Sequence, residues 1–206
     1  MDLSLNEDQK SFKQLAREFL DKEVVPHRAE WDRAESVDTS IIPRLGEIGF
    51  FGLTIPEEYG GLGGDYITYC IGMEELGRAD SSVRGIVSVS NGLVGKVILS
   101  HGTEEQKQQW LPGIAAGTAL GCFGLTEPDT GSDAGNLTTR AVRDGDDFVI
   151  NGSKIFITNG TWADVCLVFA RTGGLEIRLP GAMAYVDGVT AEPSEITPAN
   201  APRRMT

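Results

Sequence analysis

Residues 121–141 read "GCFGLTEPDTGSDAGNLTTRA". Gly121, Gly124, Gly131 and Gly135 alternate with the hydroxyls of Thr126, Thr130, Ser132, Thr138 and Thr139, while Glu127, Asp129 and Asp133 supply acids against a single base, Arg140. A turn needs one or two such residues. Backbone N–H groups beside glycines and short hydroxyls can approach a phosphate or a heteroaromatic edge closely, so the stretch is built to wrap something polar. It also marks a change of period. Upstream of Gly117 the apolar residues recur at helical spacing, and downstream they alternate or form short runs.

On the upstream side, Phe12, Leu15, Ala16, Phe19 and Leu20 form an i, i+3, i+4, i+7, i+8 stripe, with Asn6 as a cap and Pro26 near the exit. Pro43, Leu45 and Ile48 suggest a short second helix. "IPEEYGGLGGD" (55–65) is a glycine-punctuated loop whose Asp65 can cap a helix over Tyr66–Arg78. Residues 81–100 are apolar and helical, with Gly85, Gly92 and Gly95 allowing close backbone approach. Thr103 and Gln106 form a capping box that opens a helix ending by Gly113. On the downstream side, "RDGDD" (143–147) is a turn, "FVINGSKIFIT" (148–158) reads as two strands joined by Asn151-Gly152, and "ADVCLVFA" (163–170) is a buried strand. The class expected is α+β: an all-helical segment over 1–117, an antiparallel β segment over 118–174, and a proline-containing tail over 175–206 that sustains neither period.

Composition narrows the partners. The formal net charge is −12, spread along the chain, which argues against nucleic acid or anionic lipid. Cys70, Cys122 and Cys166 offer neither a disulfide framework nor zinc spacing. No apolar run approaches the roughly 20 residues of a membrane span, and Met1 leads into polar residues, so a cytoplasmic, reducing compartment is expected. Walker, nucleophile-elbow, dinucleotide-fingerprint and His-Glu-x-x-His motifs are missing, and His27 and His101 stand far apart, which leaves hydrolysis by the common routes without support. Phe156 and Thr158, two apart on the expected strand, would share a face and suit a flat polar ring.

"GCFGLTEPDTGSD" (121–133) followed by "INGSKIFITNG" (150–160) resembles the flavin-binding signature of the acyl-CoA dehydrogenase family, with "IPEEYGGLGG" and "GTEEQKQQWLP" extending the likeness from Leu3 to Gly174. The resemblance implies a helical N-terminal domain, a β-barrel-like middle domain and FAD. It places Phe123, Leu125, Thr126, Gly131, Ser132, Phe156, Ile157 and Thr158 at the cofactor, with Ser132 also where acyl-CoA enters and Phe156 where a tryptophan often stands. It further implies an acyl-CoA substrate losing its α-proton to a carboxylate and a hydride from Cβ, and electrons passing to an electron-transfer flavoprotein or similar acceptor. A homo-oligomer and a role in fatty acid or amino acid catabolism follow from the same likeness. "RGIVSVSNGLV" (84–94) is similar to the helix of the glutaryl-CoA dehydrogenase branch, and so implies Arg84, with Ser88 one turn on, as ligands of a distal acyl carboxylate.

Family members are roughly twice this long and end in a second helical bundle, which supplies the catalytic base. The resemblance is expected to stop after "ARTGG" (170–174), leaving the base outside this chain, the bundle's contact surface on the N-terminal helices exposed, and a non-catalytic flavin- or acyl-CoA-binding remnant as the alternative reading.

Overall fold

The computed structural model describes residues 4–145, 147–172 and the backbone of 183–187. The chain divides between Ala119 and Leu120 into two compact units.

In the first unit, α1 (Glu7–Glu23) opens with the expected cap: the Asn6 side chain accepts from the Gln9 amide and the Gln9 side chain answers to the Asn6 amide. Ala16 and Leu20 are buried, while Leu15 is 49% exposed, so the buried stripe is narrower than the apolar one. A short α2 (Arg28–Ala34) follows, which the sequence did not announce because none of its residues is buried. Then comes α3 (Ile41–Glu47). Phe50, Phe51, Leu53 and Ile55 are almost wholly buried beyond it. The glycine loop folds back onto this apolar run, with the amides of Leu62, Gly63 and Gly64 donating to the carbonyls of Gly52, Ile55 and Leu53 at 2.8 Å each. Gly61 is required there, since a Cβ would lie 2.0 Å from the Ile55 carbonyl oxygen.

Asp65 caps α4 (Tyr66–Ala79) by accepting from the Thr68 amide. The apolar run 81–101 is one continuous helix in three parts: α5 (Ser81–Val87), a π-helical segment (Ser88–Gly95) and α6 (Lys96–His101). It is long and apolar enough to cross a membrane, contrary to the sequence expectation. Its Val83, Ile86, Val87, Val94 and Ile98 are nonetheless buried within the unit, as in a core helix. The Thr103–Gln106 capping box opens α7 (Glu104–Ala115) as expected.

One buried charge ties α1 to α4. Glu75 is fully buried and accepts from Arg17 Nε and Nη2 (3.0 and 2.7 Å) and from Arg78 Nε (2.9 Å), while Arg78 also pairs with Asp21 at 2.7 Å. Burial raises the Glu75 carboxyl, but the two guanidinium groups outweigh it and the net direction is down.

The second unit holds two sheets among the described residues. β1 (Gly121–Gly124), β4 (Val165–Phe169) and β5 (Met183–Asp187) form one in the order β1-β4-β5. β1 and β4 run parallel, and β4 and β5 antiparallel. β2 (Arg140–Asp144) and β3 (Asp147–Asn151) form an antiparallel hairpin across Gly145, whose φ is +66°. A bridge between Arg140 and Arg171 links the hairpin to the chain leaving β4.

The helical-then-β order agrees with the sequence reading, but three details do not. Asn151-Gly152 is no hairpin turn and residues 152–158 form no strand. Gly152 is instead a close-approach glycine, where a Cβ would meet Thr139 Oγ1 at 2.2 Å. The β1–β4 pair is parallel, not antiparallel, because the intervening loop and hairpin carry the chain back before β4 begins. Within the tail expected to hold neither period, Met183–Asp187 is a strand paired with β4; the rest of 175–206 lies outside the described residues.

Glu75 is buried but Arg17 and Arg78 are 46% and 37% exposed, so removing the acid strands no buried charge and forfeits charge-assisted hydrogen bonds. Glu75→Ala is therefore expected to lower stability by about 1–3 kcal/mol in urea unfolding followed by helical circular dichroism. A loss under about 1 kcal/mol would show that α1 and α4 are held by apolar packing alone.

Candidate functional site

Glu127 organises the loop after β1. It is 3% exposed and accepts from the Thr138 amide and hydroxyl, from the Thr139 amide (2.9 Å) and from Lys154 Nζ (2.9 Å). Burial pushes its carboxyl up, but the Thr138, Thr139 and Lys154 donors outweigh that and hold it well below the usual carboxylate range. Lys154 also donates to the Leu125 carbonyl at 2.9 Å, and the Ile155 amide donates to the Thr126 carbonyl at 2.9 Å. Glu127 and Thr130 close a tight turn by bonding each other's backbones. Asp133 accepts from Asn136, whose amide bonds the Asp133 carbonyl across the 3-10 turn Ala134–Asn136. Glu127 and Asp133 thus hold backbone in place.

What this anchoring leaves outward is rich in backbone and hydroxyl donors, with Asp129 and Asp133 also exposed. Gly131 and Ser132 are exposed, and Leu125, Thr126 and Thr130 half-exposed. Phe156 is 89% exposed and holds a left-handed backbone, φ 58°, rare for an aromatic residue. The sequence reading put Phe156 and Thr158 on one face of a strand. Without a strand there, period 2 does not apply; residues 157–160 form a turn in which the Gly160 amide bonds the Ile157 carbonyl. Buried Asn159 pins that turn by donating from Nδ2 to the Gly121 carbonyl at 3.0 Å. The two separated stretches, 123–126 and 154–159, are thereby brought side by side. Phe123 packs its ring 5.0 Å from that of Phe169. Lys154 escaped sequence reasoning: a lone lysine after Ser153 carries no signal until its partner is known to be buried.

In the helical unit, Ser88 lines a cavity of about 280 Å³ with Thr54, Tyr66, Tyr69, Gly92, Leu93 and Lys96. Arg84 donates to Ser88 Oγ at 3.5 Å, and Ser88 to the Gly85 carbonyl at 3.2 Å. Arg84 is half-buried and makes no ion pair among the described residues. The π-helical segment begins at Ser88. Inside it buried Asn91 donates to the Phe51 carbonyl and accepts from Thr54 Oγ1 at 3.0 Å. Such segments recur at functional sites because the wider turn re-aims side chains. Tyr66, Ile67 and Leu93 expose 62%, 55% and 43% of their surfaces.

The family model described as "Acyl-CoA dehydrogenase, N-terminal domain" matches residues 6–118, and "Acyl-CoA dehydrogenase, middle domain" matches 122–202. The chain belongs to the acyl-CoA dehydrogenase family. The middle-domain match runs well past Gly174, where the sequence reading expected the family pattern to end.

A short-chain-specific acyl-CoA dehydrogenase of Clostridium acetobutylicum is 44% identical over 172 residues, covering 84% of this chain and 45% of that protein. The structure of butyryl-CoA dehydrogenase from Megasphaera elsdenii superposes with a TM-score of 0.85 at 37% identity, over 91% of this chain and 50% of that one. Glutaryl-CoA dehydrogenase from Mycobacterium smegmatis, solved with FADH2, gives 0.83 at 38% identity, over 89% and 46%. The chain thus spans about half the length of the family members it matches.

Because the Glu127 carboxyl is depressed on folding, its contribution is complete above the unfolded pKa of about 4.3 and is lost as pH falls toward the lower folded value. Acidification below about pH 5 should therefore loosen the loop of the wild-type chain. In Glu127→Gln, the protection of the Thr138 and Thr139 amides relative to their intrinsic exchange rates should be low already at neutral pH and should change little on that acidification. Protection equal to wild type would mean that backbone bonds alone hold the loop.

Proposed function

We propose that this chain carries the cofactor- and substrate-facing residues of an FAD-dependent acyl-CoA dehydrogenase, acting on an acyl-CoA thioester at Cα–Cβ. The observation that carries the reading is the convergence of 123–126 and 154–159 around an anchored Glu127, with glycine amides, hydroxyls and an uncovered aromatic facing outward. That donor set would suit a flavin: Phe156 would offer an apolar face to a ring, Leu125, Thr126, Ile157 and Thr158 would hold its edge, and Gly131 and Ser132 would take a pyrophosphate. When bound, FAD supplies the acceptor for the hydride leaving Cβ. Hydroxyl and amide donors near the thioester oxygen stabilise the charge that builds as the α-proton departs. Ser132, exposed on the loop, would face the entering acyl-CoA, as the family resemblance implies.

The acceptor of that proton is assigned to no carboxylate described here, and Glu127, the acid inside the loop, is already saturated with donors. The same observation favours the second reading, a chain that binds flavin or acyl-CoA without turnover. Electron delivery to an electron-transfer flavoprotein and assembly with further copies belong to the first reading. So does a cytoplasmic setting, which three free thiols suit.

For the acyl group we propose a short chain ending in a carboxylate. Arg84, half-buried and without an acidic partner among the described residues, reaches Ser88 at the cavity wall, and a substrate carboxylate would supply the missing charge.

After incubation with FAD and removal of free cofactor, the chain is expected to retain a flavin absorbance spectrum; a colourless protein would overturn the cofactor assignment. Bleaching on anaerobic addition of acyl-CoA would support turnover, and a retained but unbleached spectrum the binding reading. Arg84→Ala, placed in a catalytically competent enzyme of this sequence, is expected to raise KM for a dicarboxyl-CoA at least about tenfold while leaving an unbranched acyl-CoA nearly unchanged. Equal losses would exclude Arg84 from carboxylate recognition.

A further inference from the structure

Cys122 and Cys166 are direct partners in the parallel β1–β4 ladder. Side chains alternate along a strand, so these two share a face, opposite Phe123 and Leu167. Cys122 is buried and Cys166 half-buried. Neither takes part in the chemistry proposed above. A Cβ built on Gly124 would sit 3.7 Å from Cys166 Sγ and 3.6 Å from Lys154 Cγ, which places the lysine stem and the sulfur around the same glycine.

The surroundings divide the two thiols. The neighbouring Cys122 lowers the Cys166 thiol against the opposing effect of burial, the Gly124 amide and the Lys154 charge lower it further, and Cys122 is pushed up. The thiolate is the reactive form, and Cys166, the partner shifted toward it, is also the more accessible one.

We propose that Cys166 and Cys122 form a peroxide-reactive modification site, in which Cys166 is the attacking sulfur and Cys122 the resolving one. The Cys166 thiolate attacks the O–O bond of hydrogen peroxide; that bond breaks, the departing hydroxide takes a proton and leaves as water, and Cys166 becomes a sulfenic acid. The Cys122 sulfur then attacks Cys166, the S–S bond forms, the S–O bond breaks and a second water leaves. Two thiols lose two electrons and the peroxide gains them.

Paired strands lie about 4.8 Å apart, within the roughly 4.4–6.8 Å between Cα atoms that a disulfide spans, so register partners are placed to close the bond. β1 leads straight into Leu125 and Thr126, so the cross-link forms at the base of the loop.

The test uses the chain without flavin, so its outcome is independent of the cofactor assignment. After brief treatment with hydrogen peroxide and alkylation under denaturing conditions, peptide mass analysis should find the Cys122 and Cys166 peptides joined, lighter by two hydrogens and separated again by dithiothreitol. Exposed Cys70 serves as the internal control. Cys122→Ser, checked for folding by circular dichroism, should lose the cross-link and accumulate sulfenic or sulfinic acid at Cys166. Oxidation confined to Cys70, or sulfinic acid at Cys166 with no cross-link in the wild-type chain, would overturn the proposal.

Discussion

A carboxylate taken out of water must find donors or give up its charge, and Glu127 shapes the second unit by that demand. At 3% exposure its two oxygens draw in the Thr138 amide and hydroxyl, the Thr139 amide and the Lys154 ammonium. These donors lie up to 27 residues away. Satisfying one acid therefore fixes the end of the loop, the entry to β2 and the segment after β3 relative to β1. The hydroxyls that look free to bind a ligand divide accordingly: Thr138 is spent on Glu127 and Thr130 donates to the Asn136 carbonyl, whereas Thr126 and Ser132 remain at the surface.

The helical unit meets the same demand with arginine. Glu75, fully buried on α4, receives a two-pronged grip from Arg17 of α1 and a third donor from Arg78 one turn along its own helix. A point charge such as lysine would not align both oxygens at once, and the guanidinium's planar geometry does. Arg84 is the contrast. It has the same chemistry, no described acid to pair with and a serine at the mouth of a cavity, which is why the acyl-carboxylate proposal attaches to it and not to the other arginines.

Functional legibility followed the range of the interactions involved. Asn6–Gln9 and Thr103–Gln106 were readable because a capping box closes within four residues, and Asp65 at α4 for the same reason. Asn151-Gly152 misled, since the dipeptide is a hairpin signal only where a ladder closes across it. Here the ladder closed one turn earlier, at Gly145, and Gly152 answered to the distant Thr139 hydroxyl. The loop's candidate residues were legible as a composition, glycine with hydroxyl, but its anchor was not. Lys154 acquires meaning from a carboxylate 27 residues upstream.

By itself the sequence determined the family, the order of a helical segment before a β segment, the capped helix starts and the stretches 121–133 and 150–160 as the place to look. Periodicity and turn chemistry act over a few residues and survive in one dimension. The tertiary structure alone decided that β1 and β4 run parallel with Cys122 facing Cys166, that the helix over 81–101 widens at Ser88, and that Phe156 stands uncovered in a left-handed turn. Strand direction, helix widening and exposure are set by what packs against a segment, and the packing partners lie tens of residues away along the chain.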